Sequence, residues 1–520
     1  MQLAMESWDA FATSIVGNNM WISIALATTL ILCVLALAIG SAMVYGPLLL
    51  AVLRLKIKGN MPPLPPGSLG LPYWGESLNF INSWSNKSNP DVWYDMRRNT
   101  HGKIFKSHIL GNPTVVLLGP EASRFILINE NKLFRNGWPK SLKVLIGEHA
   151  LVSSQGDDHK RMRRIIRSVL GQEALKHNVA RFERIVVRHL DTCWQSGQIM
   201  RAHCEMKNMA LSVVAEYLMG LKPGEVLEIF RRHFQDYSAG LLSHPLDLPW
   251  TVFGKAKRAR TFMIAQICAQ IKLRQTSTAA NCGKADKEDN FLDAILSARK
   301  TKSDLSDFSD KEIAENFMGL LVGGQDTTAF ALSTILSQLS STPPSLERLR
   351  KECEKLRNMK RPGESLTWNE IKGLSYLRNV ISEGLRLVAP VTGGFKQTKV
   401  DVVYRGYTIP KGWKVHYSMR QTNNKEEYFP NPERFDPDRF NNRHEPFSFI
   451  PFGQGNRICP GMEFAKLVME VFLYHFILRF DWKLMEPDEP VNMQSLVAFP
   501  VHGLPLILKP VSSSSESTST

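Results

Sequence analysis

Apolar residues run almost unbroken through the start of this chain: from Ala10 to Leu53 no side chain is charged, and Trp21 to Val44 alone is long enough to cross a bilayer as a helix. Beyond residue 70 the pattern changes. Apolar positions recur near every 3.6 residues over most of the length, with a few short strand-like runs such as Thr114 to Leu118. The pattern predicts a mainly α protein with a minor β region. Glu312 to Leu339 reads as one long, largely apolar helix, with Gly323-Gly324-Gln325-Asp326-Thr327-Thr328 weakening its middle. Two glycines lower helix propensity there, and a threonine hydroxyl can bond back to a carbonyl one turn earlier. Prolines in Met61-Pro62-Pro63-Leu64-Pro65-Pro66-Gly67 favour a stiff extended segment, and those between Phe429 and Phe440 favour loop.

This patterning divides the chain into an N-terminal segment over 1–20, a membrane anchor over 21–45 and a basic, proline-rich linker over 46–70. One large unit follows over 71–510, then a tail over 511–520 that is almost all Ser, Thr and Glu. Leu48 to Leu53, beyond Pro47, either extends the span or lies in the membrane interface. Glu6 and Asp9 precede the apolar run, and Arg54, Lys56 and Lys58 follow it. The positive-inside rule then puts the N-terminus on the lumenal side and the main body in the cytosol. A cleaved signal peptide fits less well, because the segment is too long and lacks a basic start.

Charge and cysteine usage narrow the function. The 520 residues carry a net charge of +15, spread along the chain rather than gathered into a nucleic-acid motif; a membrane surface or an acidic protein partner suits it better. The seven cysteines are scattered, odd in number and without a CxxC pair, which argues against a disulfide framework and against structural zinc.

One cysteine stands in a distinctive setting. Phe452-Gly453-Gln454-Gly455-Asn456-Arg457-Ile458-Cys459-Pro460-Gly461 places Cys459 on a glycine-punctuated loop just before an apolar helical pattern. A thiolate held there can be the axial ligand of haem iron. Gly455 and Gly461 permit close backbone approach, Phe452 can cover a macrocycle face, and Arg457 offers a fork of donors to a propionate. A buried free cysteine in a turn is the plain alternative for such a residue taken alone. The run resembles the haem-binding loop of the cytochrome P450 monooxygenases, Phe-x-x-Gly-x-Arg-x-Cys-x-Gly, at every fixed position. The resemblance extends over roughly residues 60 to 510. Several runs, including Asn136-Gly137-Trp138-Pro139-Lys140-Ser141, resemble the plant branch that oxidises terpenoids and sterols: kaurenoic acid, brassinosteroid and triterpene oxidases.

The resemblance implies a cytochrome P450 fold, haem b as cofactor and Cys459 as its iron ligand. It makes Asp326 and Thr327 the catalytic proton relay, and Glu383, Arg386 and Arg434 a structural triad that locks the Cys459 loop. His159, Arg163, Lys396, Phe452, Arg457 and Gly461 become the residues that bind haem. His159 stands where many members have Trp, and Lys396 where related plant enzymes often have Arg. Candidate substrate-pocket walls are Trp138, Leu320, Gly324, Val388, Val391, Val497 and Phe499. The expected activity is hydroxylation, or successive oxidation, of a hydrophobic polycyclic substrate, using O2 and electrons from NADPH-cytochrome P450 reductase at the endoplasmic reticulum membrane, with lipid but no nucleic acid as a partner. Leu242 to Trp250 forms either a lip that dips into the bilayer or a plain helix connector. Two rivals are a haem-thiolate isomerase or dehydratase that uses no O2, and a non-enzymatic haem-binding membrane sensor.

Overall fold

The computed structural model describes residues 2–59, 61–83, 91–280, 290–300, 308–492 and 496–511, with side chains of residues 2–23 and of a few positions between 277 and 300 left aside. Most of the tail expected over 511–520 lies outside the described residues. The chain is mainly helical with small sheets, as its periodicity predicts.

The first helix runs from Gln2 to Lys58, straight through Pro47, so the boundary expected at residue 45 moves to 58. Within it, Ile24–Lys58 is long and apolar enough to cross a membrane. Pro47 removes only one intrahelical hydrogen bond, and a helix in apolar surroundings has no better way to satisfy its other amides. The linker is therefore shorter than expected, and the basic residues ride on the helix end. Arg54 and Lys58 there pair with Asp401 of the catalytic body, Arg54 at 3.4 Å. Higher on the same helix, Gly40 lets the Tyr73 ring come so close that a Cβ would lie 2.3 Å from it.

The largest sheet has five strands in the order Ile104–Ile109, Asn112–Leu117, Lys414–Ser418, Gly393–Thr398 and Phe134–Asn136. Asn112–Leu117 contains the strand read from Thr114 to Leu118 and pairs in parallel with Lys414–Ser418. The helical body surrounds the Asp310–Ser341 helix, whose apolar side chains Phe317, Leu321, Ile335 and Leu339 are fully buried in the main core. Ser309 and Glu312 form a reciprocal capping box at its start, fixing where the helix begins. The Gly323–Thr328 run does not break this helix. It is bordered by the Ala202–Met219 helix, which is buried nearly all along its length.

Candidate active site

The loop before the Met462–Arg479 helix is shaped by two glycines at positive φ, Gly453 at 70° and Gly455 at 75°. Gly455 is required twice over, because a Cβ there would lie 2.9 Å from the Leu127 carbonyl. Gly461 has no such constraint: its φ is −95°, and a Cβ would only touch Leu170 at 4.0 Å. Its contribution is a backbone N–H to the Cys459 sulfur. The Cys459 amide donates to the Phe452 carbonyl at 2.8 Å, closing the turn, and Phe452 packs partly buried against the main core. Burial pushes the Cys459 thiol up, while the Gly461 N–H and Arg163 pull it down.

Around this loop the structure gathers a positively charged cluster. His159 is buried within reach of Arg457, Arg163 and Lys396; burial first, then those charges, pulls its pKa to about 4, so it is neutral. Arg163 donates to the Ile458 carbonyl at 2.8 Å, one residue before Cys459. Arg457 donates to the Ser154 carbonyl at 2.6 Å and stands 2.9 Å from Glu130 Oε1. Lys396 bonds the other Glu130 oxygen and reaches Asn136 Oδ1 at 3.2 Å. Glu130 is buried and joins two cations that lie far apart in the chain, and nothing in its local sequence marked it. Three cations against one carboxylate leave a formal excess of two positive charges. Two propionates would balance that excess, so these residues fit haem.

The Asp310–Ser341 helix supplies the second half of the site. In its middle Gly323 is exposed, nothing lies within 4 Å of where its Cβ would be, and Leu320 and Thr327 share its partly open face. Thr327 Oγ1 donates to the Gly323 carbonyl at 2.5 Å, the one-turn back-bond expected from the sequence. Asp326 points elsewhere. Its carboxylate is buried, pairs with Lys207 at 2.9 Å and accepts from Ser238 at 2.8 Å. Lys207 and Ser238 were not foreseen, since they sit on other helices.

Two expected roles change hands. Gly324 is not a pocket wall: a Cβ there would lie 2.7 Å from Val214 of the neighbouring helix, so it closes a helix–helix contact, and Gly323 is the glycine beside open space. Glu383 and Arg386 form the expected pair, bidentate at 2.7 and 2.8 Å and wholly buried, but the third member is Arg439, whose Nε lies 3.0 Å from Glu383 Oε1. The Arg434 side chain is exposed, and only its backbone carbonyl joins the group, accepting from Arg386 at 3.3 Å. The turn Pro437–Asn441 aims Arg439 inward, whereas position 434 faces out.

The other candidate walls separate. Val388 and Val497 meet beside Phe330 of the long helix. Val391 belongs instead to the core behind the five-stranded sheet, Phe499 is partly exposed on a two-residue strand, and Trp138 lines a separate surface cleft while touching the main core.

Residues 65–510 match the family model described as Cytochrome P450. The chain belongs to the cytochrome P450 family. It is a P450 monooxygenase with haem b as its cofactor. Among its P450 relatives, taxane 13-alpha-hydroxylase of Taxus cuspidata is 34% identical over 449 residues, 86% of this chain and 92% of that one. Beta-amyrin 28-monooxygenase of Vitis vinifera is 33% identical over 92% of this chain and 98% of its own. Abscisic acid 8'-hydroxylase 1 of Oryza sativa subsp. japonica is 34% identical over 85% and 90%. A solved structure, retinoic acid bound cyanobacterial CYP120A1, superposes with a TM-score of 0.77 at 32% identity, covering 87% of this chain and all of that one.

Proposed function

We propose that this P450 hydroxylates an apolar polycyclic substrate of the terpenoid class, drawing electrons from NADPH-cytochrome P450 reductase while anchored by its first helix in the endoplasmic reticulum membrane. The reading rests above all on the four relatives just named, all hydroxylases or binders of isoprenoid-derived molecules, each aligned over most of this chain.

Cys459 would hold haem b, with His159, Arg163, Lys396 and Arg457 placed for its carboxylates, and the group would supply the oxygen-activating chemistry. The protein's residues then have separate tasks. Gly323 leaves space on the partly open face of the long helix, and Leu320 borders that face. Thr327 holds a hydroxyl there, parked on the Gly323 carbonyl, from which it can rotate to pass a proton. Asp326, paired with Lys207 and accepting from Ser238, ties the long helix to the Ala202–Met219 and Glu225–Gly240 helices. Glu383, Arg386 and Arg439 hold the segment before the Cys459 loop in place. Exposed Leu246, Leu248 and Trp250 suit the bilayer-dipping lip rather than the plain connector.

The test is reconstitution of the full chain with the reductase and a panel of di- and triterpenoids under 18O-labelled dioxygen. Labelled hydroxylated product is expected. Product without label would favour the isomerase or dehydratase reading, and NADPH use that no panel member stimulates would remove the terpenoid assignment.

A further inference from the structure

A cleft of about 260 Å³ opens between the tip of the Ile104–Ile109 and Asn112–Leu117 hairpin and the start of the Lys140–Ile146 helix. Leu110, Trp138 and Phe395 give it apolar walls, Lys140, Lys143 and Lys414 give it charge, and no carboxylate lines it. Lys414 is partly buried, and among the described residues its side chain hydrogen-bonds the Gly137 carbonyl, at 2.9 Å. Arg135 adds a fourth positive charge within electrostatic reach. None of these four cations enters an ion pair among the described residues. Lys414 is partly buried while Lys140, Lys143 and Arg135 are exposed beside it; a partly buried cation facing like charges is costly unless an anion joins it.

The position of the cleft points to the source of that anion. The Leu110 amide donates to Ser77 Oγ at 2.9 Å, and the Glu76 amide donates to the His108 carbonyl at 2.8 Å. The hairpin tip is thereby tied to the 70–78 segment, which in turn lies on the anchor through Tyr73 and Gly40. Leu71, Trp74 and Leu78 of that segment are exposed, at 67%, 59% and 47%. A cationic cleft thus adjoins an apolar collar around a helix fit to cross a membrane. The cleft is also smaller than the roughly 300–1,000 Å³ of pockets that enclose a whole small molecule. It suits a headgroup whose tails lie outside.

We propose that this cleft binds the phosphodiester headgroup of an anionic lipid, with Lys140, Lys143 and Lys414 as its counter-charges and the acyl chains lying along the apolar collar. The lipid's orientation rests on the anchored reading above. That reading has its own check, resistance of the full chain to alkaline carbonate extraction, so the two can fail separately.

Native mass spectrometry of the full-length protein in neutral detergent, offered equal phosphatidylglycerol and phosphatidylcholine, tests the cleft. Wild type should retain phosphatidylglycerol on the order of a hundredfold over phosphatidylcholine, three lysines near the phosphate each being worth about fivefold. The K140Q/K143Q/K414Q variant should retain both equally, and the corresponding triple Arg variant should keep the preference. Burial, then Lys143 and Arg135, pulls Lys414 down to about 8. It is protonated at pH 7 and largely neutral at pH 9, so retention should fall across that range in wild type and stay flat in K414Q, because exposed lysines keep their charge to about pH 10. The red-shifted band of the reduced carbonyl complex reports folding, and if the triple variant loses it, K140E, at an exposed position, replaces it. Equal retention of the two lipids by wild type, or an unchanged preference in the variant, overturns the proposal. Displacement of the lipid by inorganic phosphate at the same concentration would assign the cleft to free phosphate instead.

Discussion

At Cys459 burial alone would keep the thiol protonated, and the Gly461 amide with Arg163 only partly opposes that. Iron bound there would settle the matter, since a coordinating thiol is deprotonated outright. Cys459→Ser should therefore abolish the red-shifted Soret band of the reduced carbonyl complex while far-UV circular dichroism keeps its helical shape. Glu383 is as demanding for a different reason. It is wholly buried between Arg386 and Arg439, so Glu383→Gln leaves two cations short of a partner. A broken buried pair costs about 3–5 kcal/mol. Arg434→Ala, at an exposed side chain, should shift the urea midpoint by less than about 0.5 kcal/mol equivalent. Equal losses in the two variants would return Arg434 to the triad. Thr327→Ala should leave haem content intact and divert electrons from product to hydrogen peroxide; unchanged coupling would remove Thr327 from the proton path.

Along the Asp310–Ser341 helix, adjacent glycines have opposite surroundings. Gly323→Ala meets open space and regains up to about 1 kcal/mol of helix propensity, so thermal stability should hold or rise while substrate binding weakens, as read by the substrate-induced spectral shift. Gly324→Ala meets Val214, and overpacking costs about 1–3 kcal/mol. Its melting temperature should fall, and adding Val214→Ala should restore much of the loss. The helix itself was legible from its apolar run and its capping pair. Which glycine lines space and which closes a contact was not, because both sit in the same run and differ only in the neighbour that packing presents.

For the molecule as a whole, several buried histidines link stability to pH, His416 and His203 among them. His416 donates from Nδ1 to the Gly394 carbonyl at 3.1 Å, and its Nε2 lies 2.7 Å from the Tyr94 hydroxyl, with both rings buried. His203 bonds Ser333 at 2.9 Å. Burial pulls both to about 4, below the ordinary value near 6.5. Their contribution is whole above pH 6.5 and drains as pH falls towards 4, because the unfolded chain takes up protons that the folded one refuses. Denaturant unfolding should show a loss on the order of 1–3 kcal/mol per histidine across that window. His416→Gln should flatten the slope, and an unaltered slope would remove His416 from the linkage.

The sequence by itself determined what lies within one stretch of chain: the apolar first helix, the long helix, the strand near residue 114, and a cysteine loop with its neighbours at fixed spacing. These follow from periodicity and local backbone chemistry, which neighbouring residues carry in full. Only the tertiary structure decided the partnerships, such as Glu130 between Lys396 and Arg457, Asp326 with Lys207 and Ser238, and Arg439 in the place foreseen for Arg434. Each joins residues on different elements, and whether a side chain points inward depends on how those elements pack, which no local pattern records. The prolonged first helix has the same origin: Pro47 signals a break by propensity, yet one lost hydrogen bond is a small cost in a helix whose other amides have no alternative.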